Sequence, residues 1–360
     1  MPRSLIVALG LLHSAASFQQ TSRGVTRTAP LKAGFATTTR KKKGCHRPII
    51  APFLSRPPED TQRPARIHLF VNPFSGRRRR GAAVAAEATR LLQAEGIQVV
   101  EYRSERAGHF LTLSAGAEVA DDEAIAVVGG DGSVCEVITG RLRNRKTLPR
   151  VAIIPCGTGN CQATELGITS VEGAVERILA GRVRKIDLAE VRVCDDGLWY
   201  SHNLVTWGLG VDSTVLAEKM RCLGPVRYDL GIVATILANR RRPATLTLDG
   251  KTLTGDYTLF LIQNTQTGGS NLLLAPGATA DDGCMDIGVL RRMCRRSLIR
   301  AFGMLKSEGR HVFHPRVAYH RFKSLALETP VPMKINVDGE IVGTTPLDMS
   351  VMPGALAVFA

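Results

Sequence analysis

The sequence predicts an α/β fold in two units, a parallel sheet with helices over residues 66–192 and a β-rich unit over residues 193–360. The first unit is indicated by short apolar runs that alternate with longer segments whose apolar residues recur at helical spacing. Strands separated by helices pair in parallel through right-handed crossovers. The second unit is indicated by a change after Arg182, where strand-like runs follow one another through turn residues such as Asp249-Gly250.

The same patterns locate the individual elements. In the first unit, Gly96 closes a helix in the way that a C-terminal glycine does. The predicted strands are 66–72, 97–102, 124–128 and 151–154, and the predicted helices are 82–94, a segment ending near 119, 133–142 and 170–180. In the second unit the predicted strands are 184–193, 198–206, 244–248, 257–263 and 325–327, and the predicted helices are 224–239 and 296–306.

Residues 1–65 differ in composition from the rest of the chain. An apolar run after Arg3 and small residues up to Ser17 form the pattern of a signal peptide over residues 1–17. Residues 18–65 are basic and rich in Ser and Thr, which is typical of a disordered transit sequence. The formal net charge is +15, and eleven basic against two acidic residues in this leader supply +9 of it. The remaining units are only moderately basic, so we expect no nucleic-acid partner.

The leader also predicts a destination. Its apolar run is too short to anchor stably across a bilayer. A signal peptide followed by a basic, hydroxyl-rich stretch resembles the bipartite leader of algae with complex plastids, which predicts import into the plastid. A secretory signal leading to the endomembrane system, a mitochondrial presequence and a basic arm at a membrane surface are the alternatives.

Three predicted strands end in loops rich in Gly, Asn, Ser and Thr. The loops are residues 72–76 (NPFSG), 129–133 (GGDGS) and 156–160 (CGTGN). Because open α/β sheets bind ligands at the carboxyl ends of their strands, we expect these loops to converge. Backbone N–H groups in such loops and the positive end of the next helix suit phosphate. A carboxylate repels phosphate, so Asp131 indicates a metal ion or a proton to be removed. For any one loop, a plain turn that binds nothing is the alternative.

The motifs VNPFSG, GGDGSVCE and PCGTGN together resemble those of the diacylglycerol kinase catalytic superfamily, which includes sphingosine and ceramide kinases. The resemblance extends from Arg66 to the C-terminus. The family pattern has Asn or His where this chain has Cys135, whereas Ser133 keeps the hydroxyl and Glu136 keeps the acid. The resemblance implies a two-lobed lipid-kinase fold, with a parallel α/β nucleotide lobe, a β-sandwich lobe and the active site in the cleft between them.

The resemblance also implies that ATP and Mg²⁺ serve the reaction, and it assigns roles to residues. Asp131 is the first choice for the general base, since an ionised aspartate accepts a proton from a hydroxyl held close to it. Glu340 is its rival, and Asp131 would then serve the metal. The expected ATP-binding residues are Asn72, Pro73, Phe74, Ser104, Arg106, Gly108, Gly130, Gly132, Glu136, Gly157, Thr158, Gly159, Arg227, Asp338 and Gly339.

Two acidic turns in the β-rich unit have both a functional and a structural interpretation. Asp338-Gly339 is a strong signal for a hairpin turn, and the tip of a hairpin can still point into the cleft. The segment 276–286 resembles a family segment that binds a structural Mg²⁺ through Asp282. One or two carboxylates suffice for such a site because Mg²⁺ keeps several waters. A hairpin without a metal is the alternative.

The identity of the lipid depends on a few further residues. Arg221 matches a family position near the substrate. The aspartate that receives the substrate amine in sphingosine kinases falls on Thr214 here, with Asp212 two residues earlier. Residues 306–311 resemble sphingosine kinases closely.

We therefore predict a lipid kinase that phosphorylates the primary hydroxyl of a sphingoid base, with ceramide or diacylglycerol as the runner-up. Its partner is a lipid substrate at a membrane surface, which the enzyme reaches by peripheral association. Two alternatives come from other classes of protein. One is an NAD kinase, which shares the GGDG motif but acts on a soluble substrate, and the other is a non-catalytic lipid- or nucleotide-binding relative.

Overall fold

The computed structural model describes residues 54–76, 79–157, 159–195, 197–220, 226–268, 272–306 and 308–360. The predicted signal peptide and the leader up to residue 53 lie outside this range. Residues 54–65, which we expected to be part of a disordered leader, are instead bonded to the folded body. Strand β1 (Glu59–Asp60) pairs with β6 (Arg182–Val193), and the carboxylate of Asp281 accepts hydrogen bonds from the backbone N–H groups of Ser55 and Arg56 at 2.8 and 2.7 Å.

The first unit is a parallel sheet with helices, as predicted. Its strands lie in the order β5–β4–β2–β3 and all pair in parallel. The strand AIAVVG (β4) is buried at every residue, as expected for a parallel strand that is covered on both faces. The strands are β2 Arg66–Val71, β3 Gln98–Arg103, β4 Ala124–Gly129 and β5 Val151–Pro155, and the helices are α1 Gly81–Ala94, α2 His109–Gly116, α3 Asp131–Arg143, α4 Cys161–Glu165 and α5 Val171–Ala180.

The second unit is β-rich and resembles a sandwich, again as predicted. After β6 its strands are β7 Gly197–Ser201, β8 Leu204–Gly208, β9 Pro243–Leu248, β10 Lys251–Gln263, β11 Thr267–Gly268, β12 Leu272–Leu273, β13 Met285–Arg291, β14 Val317–Phe322, β15 Ser324–Glu328, β16 Lys334–Val337, β17 Glu340–Thr344 and β18 Leu347–Phe359. Its helices are α6 Leu209–Lys219, α7 Val226–Ala238, α8 Arg295–Lys306 and a 3₁₀ turn at Arg310–Phe313. The patterns did not predict α6.

Two features of the second unit explain its core. The first half of β10 pairs with β9 and its second half pairs with β8 and β13, so this long strand passes from one layer to the other. Trp207 and Phe260 stack between the layers with their ring centroids 4.8 Å apart. The single strand predicted over 198–206 is in fact two strands, β7 and β8, because the backbone at His202-Asn203 leaves the ladder to bond a carboxylate described below.

The C-terminal strand joins the two units. Strand β18 pairs with β6 in antiparallel fashion and meets β5 in parallel where Val358 faces Val151. Leu356, Val358 and Phe359 are buried in the same apolar core as the parallel strands. The parallel sheet and the β-rich unit are therefore hydrogen-bonded into one continuous sheet, which fixes the edge of the parallel strands relative to the hairpins of the second unit.

Candidate active site

The three glycine-containing loops converge at the carboxyl edge of the parallel strands, as predicted. Asn72 follows β2, and its backbone N–H donates to the carbonyl oxygen of Val128 on β4 at 3.1 Å. The Asn72 side chain donates to the Ser133 hydroxyl at 3.3 Å and accepts from the backbone N–H of Phe74 at 3.1 Å. The Phe74 ring, after Pro73, is about half exposed. The first loop is thus tied to the start of α3.

The second and third loops touch through their backbones at two glycines. A Cβ atom placed on Gly157 would lie 2.5 Å from the Cα of Gly130, which is closer than any side chain allows. The backbone N–H groups of Cys156 and Gly157 both donate to the carbonyl oxygen of Gly129, at 2.9 and 3.1 Å. Only glycine permits this approach. The contact leaves main chain without side chains at the positive end of α3, which is the environment that a polyphosphate needs.

Asp131 begins α3, and its carboxylate is directed toward the next helix. Its two oxygens accept hydrogen bonds from the backbone N–H groups of Cys161 and Gln162, at 3.0 and 3.3 Å, so it also caps the first turn of α4. Gly159 lies close to the same carboxylate, since a Cβ on Gly159 would be 3.7 Å from Asp131 Oδ2. Burial raises the pKa of Asp131, and the facing His202 opposes that rise. The carboxylate is therefore held in one orientation beneath the loops.

Glu340 reaches the same place from the second unit. The predicted hairpin turn is present between β16 and β17, with positive φ angles of 48° at Asp338 and 104° at Gly339. The turn places Glu340 against the glycine loop, where a Cβ on Gly132 would lie 3.0 Å from Glu340 Oε1. Asp131 precedes Gly132 in the chain and Glu340 faces Gly132, so the two candidates for the general base both belong to this glycine loop. Asp131 is buried, whereas Glu340 is exposed.

Asp338 plays a structural part that differs from the predicted contact with ATP. Its buried carboxylate accepts hydrogen bonds from the Ser201 hydroxyl at 2.9 Å and from three consecutive backbone N–H groups, those of His202, Asn203 and Leu204, at 3.0, 3.1 and 2.7 Å. These four donors occupy the carboxylate oxygens. The carboxylate of Asp338 therefore holds the junction of β7 and β8, and the contact of this residue with ATP stays a prediction.

Glu136 is also occupied within the protein. It lies one turn into α3, and its carboxylate accepts hydrogen bonds from the backbone N–H groups of Gly108 and Phe110, at 2.9 and 3.3 Å. Burial raises the pKa of Glu136. Gly108 has a φ of 75°, which only glycine adopts at little cost. Glu136 therefore positions the loop after β3, in which Ser104 is buried and Arg106 is exposed. Its contact with ATP stays a prediction.

A buried histidine that the sequence patterns missed lies under the site. His202 is fully buried, its Nδ1 lies 3.2 Å from Gln162 Oε1, and its Nε2 lies 3.1 Å from the Asp131 carbonyl oxygen. The same Nε2 lies 3.6 Å from an Asp338 carboxylate oxygen. His202 thus joins the start of α3, the start of α4 and the hairpin. The one sequence signal was the polar Ser-His-Asn triplet inside an otherwise strand-like run.

The residues considered for a substrate amine are placed differently from expectation. The Asp212 carboxylate is paired with the buried guanidinium of Arg242 at 2.6 Å, so its charge is already neutralised. The Thr214 hydroxyl donates to the Gly210 carbonyl oxygen within its own helix at 3.0 Å. Thr158 and Arg221 lie outside the described residues. Arg227 lies in α7, and only its backbone is described.

Asp282, the predicted ligand of a structural Mg²⁺, has two partners within the protein. One oxygen of this carboxylate accepts from the Cys284 backbone N–H at 3.0 Å, and the other is ion-paired with Arg321. Burial raises the pKa of Asp282, and the arginine opposes that rise. The neighbouring Asp281 bonds the N-terminal segment. Across the described part of the chain, no three His, Cys, Asp or Glu side chains are grouped as metal ligands.

The site fits a Mg²⁺ ion only as a companion of phosphate. Asp131 and Glu340 are hard oxygen donors at the same place, and Mg²⁺ commonly takes one or two carboxylates together with phosphate oxygens and water.

Among the helices that the structure describes, none has the length and apolarity needed to cross a bilayer.

Family models match most of this fold. The diacylglycerol kinase catalytic domain matches residues 66–191, and a YegS C-terminal NAD kinase beta sandwich-like domain matches residues 203–360. A diacylglycerol kinase of Mycobacterium tuberculosis is 32% identical over 303 residues, covering 81% of this chain and 94% of that protein. Sphingosine kinase 2 of Arabidopsis thaliana is 26% identical over 337 residues, covering 78% of this chain and 69% of that protein.

Solved structures support the same conclusion for the fold. A crystal structure of a diacylglycerol kinase from Bacillus anthracis superposes with a TM-score of 0.63 at 20% sequence identity, covering 83% of this chain and 98% of that one. At this identity the likeness concerns the fold alone. The glycine loops, the two-unit architecture and the identity to the mycobacterial protein agree with one another. The chain belongs to the diacylglycerol kinase catalytic-domain family.

Proposed function

We propose that this protein is an ATP- and Mg²⁺-dependent lipid kinase that phosphorylates the primary hydroxyl of an uncharged, diacylglycerol-type acceptor. The observation that carries the proposal is that Glu340 Oε1 lies against Gly132, the residue that follows Asp131, next to glycine loops whose backbones are in contact. Phosphoryl transfer needs positioning and neutralisation of charge more than covalent chemistry. This site offers main-chain donors for phosphate and two carboxylates for a metal ion and a proton.

Glu340 is better placed than Asp131 to act as the base. A general base must reach the acceptor hydroxyl, and Glu340 is the exposed carboxylate of the two. Asp131 is buried, both of its oxygens accept hydrogen bonds from the start of α4, and it lies beside Gly159 of the third loop. We assign Glu340 to removal of the hydroxyl proton and Asp131 to the Mg²⁺ that accompanies ATP. The bound ion would neutralise phosphate charge as the bond to the leaving group breaks.

The uncharged acceptor is favoured by the Asp212–Arg242 pair. An amine-bearing substrate needs an unpaired carboxylate, whereas the carboxylate nearest the expected position is paired with a buried arginine. The mycobacterial and bacillar relatives are named diacylglycerol kinases, which supports the same choice. A sphingoid base is the second candidate. The likeness to two Arabidopsis sphingosine kinases, at 26% and 25% identity, favours it.

Substitution of Glu340 and of Asp131 should have separable effects. We expect Glu340→Gln to lower kcat by about 10²–10⁴-fold, the contribution of a general base, while ATP binding changes little. Asp131→Asn should weaken binding of ATP with Mg²⁺ as well. Burial raises the pKa of Asp131, so this carboxyl becomes protonated at a higher pH than an ordinary aspartate. As the pH is lowered, the affinity of the wild-type protein for ATP should therefore begin to fall at that higher pH. This loss of affinity in acid should be smaller in Asp131→Asn, in which the Asp131 carboxyl no longer titrates.

Steady-state kinetics and ATP titrations from pH 4 to 9 provide these data. Glu328→Gln, an exposed glutamate on β15, is the matched control and should leave all parameters unchanged. Full activity of Glu340→Gln, together with loss of kcat but not of ATP affinity in Asp131→Asn, would reverse the two assignments.

The contact between Gly130 and Gly157 should be sensitive to a single methyl group. Gly157→Ala forces the second and third loops apart, at a cost of about 1–3 kcal/mol for overpacking. We expect that cost to appear as roughly tenfold or greater weakening of ATP binding, measured by calorimetric titration. Gly116→Ala is the control, because a Cβ at Gly116 meets nothing within 4 Å. Equal ATP affinity in the two variants would show that the loop contact does not form the phosphate site.

The acceptor can be identified by phosphate transfer from labelled ATP to a panel of lipids in mixed micelles. The panel contains diacylglycerol, ceramide, sphingosine and phytosphingosine, with NAD as a soluble acceptor. We expect diacylglycerol to be labelled at least about tenfold faster than sphingosine, because an ammonium group would have no unpaired carboxylate to bind. Arg242→Gln should raise the ratio of sphingosine to diacylglycerol labelling, and Asp212→Asn combined with Arg242→Gln should restore the wild-type ratio.

Each outcome of this panel is informative. Faster labelling of sphingosine would contradict the proposed acceptor and keep the kinase chemistry. Labelling of NAD alone would show that the protein is an NAD kinase and not a lipid kinase. No labelling with ATP still bound would leave a non-catalytic binding protein.

A further inference from the structure

An arginine-rich surface lies on the second unit, built from residues 237–241, 291–300 and 313–316. These three segments carry eight arginines, two in the first, five in the second and one in the third, and all eight are exposed. The segments contain no aspartate or glutamate. Positive charge is therefore concentrated in these three segments as well as in the N-terminal leader. We call this region the arginine surface.

Hydrogen bonds hold the three segments side by side. The guanidinium of Arg295 donates to the Leu237 carbonyl oxygen at 2.6 Å, which joins the start of α8 to the end of α7. The Asn239 side chain donates to the Met293 carbonyl oxygen at 3.1 Å. Arg316 donates to the Arg292 carbonyl oxygen at 3.4 Å. The arginines are therefore gathered in one region even though they are separated by up to 76 residues in sequence.

Large apolar side chains are exposed among these arginines. Leu237, Ile299 and Phe313 are 47%, 41% and 48% exposed. The opposite face of α8 packs against the protein, since Leu298 and Ala301 are buried in an apolar cluster of the second unit. Ile299 is thus not needed to attach the helix to the protein. Exposed apolar groups surrounded by cations are the composition of an interfacial membrane-binding helix.

The same region contains a cavity that suits an anionic headgroup. Its volume is about 280 Å³, and its walls include Arg291, Arg292 and Arg316. Asp256, the one carboxylate in the walls, is already paired with Arg241 at 2.7 Å. Arginine suits this role because its planar, permanently charged fork bonds phosphate oxygens in pairs.

We propose that the arginine surface docks the protein onto an anionic lipid bilayer, with Leu237, Ile299 and Phe313 entering the headgroup boundary. A polyanion such as nucleic acid would satisfy the arginines but would give three separate aliphatic and aromatic groups no apolar phase to enter. The surface also adjoins Asp212, one of the residues considered for the substrate, because Arg242, which directly follows its first segment, pairs with Asp212. Docking requires no phosphoryl transfer, so the inference goes beyond the proposed kinase activity and can fail or succeed independently of it.

The test is co-sedimentation of the full chain with vesicles, in the absence of ATP. One set of vesicles contains about 30 mol % phosphatidylglycerol in phosphatidylcholine, and the other contains phosphatidylcholine alone. Every variant retains the same basic leader, so differences report the arginine surface. The charge variant combines Arg240→Gln, Arg292→Gln, Arg296→Gln and Arg300→Gln. The matched control removes four exposed arginines elsewhere, Arg90→Gln, Arg103→Gln, Arg182→Gln and Arg192→Gln.

We expect the charge variant to bind the anionic vesicles at least about tenfold more weakly than the control variant, because each cation near an anionic surface adds severalfold to membrane affinity. Ile299→Ser combined with Phe313→Ser should also weaken binding while leaving the net charge unchanged. Thermal unfolding of each variant checks that the fold is retained. Equal vesicle affinities of the charge and control variants would overturn the proposal. So would a loss of binding to duplex DNA in the charge variant with no change toward vesicles.

Discussion

The buried carboxylate of Asp338 is the interaction on which the geometry of the site depends. A charge removed from water is costly unless it is fully hydrogen-bonded, and this one has four donors from residues 201–204. Because Asp338 belongs to a two-residue turn, the same bonds fix the hairpin that carries Glu340 over Gly132. They also fix His202 beneath Asp131. This carboxylate therefore acts on the start of α3 through His202, whose Nε2 lies 3.1 Å from the Asp131 carbonyl oxygen.

Much of the fold and the location of the site could be predicted from the sequence because their signals are local. The loops at residues 72–76, 129–133 and 156–160 each follow a β-branched run, and their convergence follows from parallel pairing. The Asp338-Gly339 turn was likewise evident from two adjacent residues. Helix α6 was missed. The predicted strand over 198–206 was too long, because a hydrogen bond from the Asn203 backbone to Asp338 overrides the local β propensity there.

The roles of the individual carboxylates could not be predicted, because a carboxylate is satisfied equally by a metal ion, an arginine or backbone N–H groups. The partner that decides lies far along the chain: Asp212 is 30 residues from Arg242, Asp282 is 39 from Arg321, and Asp338 is 134 from Leu204. Local motifs indicate that these carboxylates have a partner, but they do not identify it as a metal ion, an arginine or a backbone N–H group. Glu136, which the resemblance assigns to ATP, likewise has its protein partners 28 and 26 residues away, at Gly108 and Phe110.

The most direct test of the account is a crystal structure of the protein with Mg²⁺ and a non-hydrolysable ATP analogue. We expect the phosphates to lie against the backbone of residues 130–132, Gly157 and Gly159. We also expect the Asp131 carboxylate to face the Mg²⁺ ion and the Glu340 carboxylate to lie beside the terminal phosphate, where the acceptor hydroxyl would approach. A nucleotide bound away from the two glycine loops, or a Glu340 turned away from Gly132 with the phosphates in place, would contradict it.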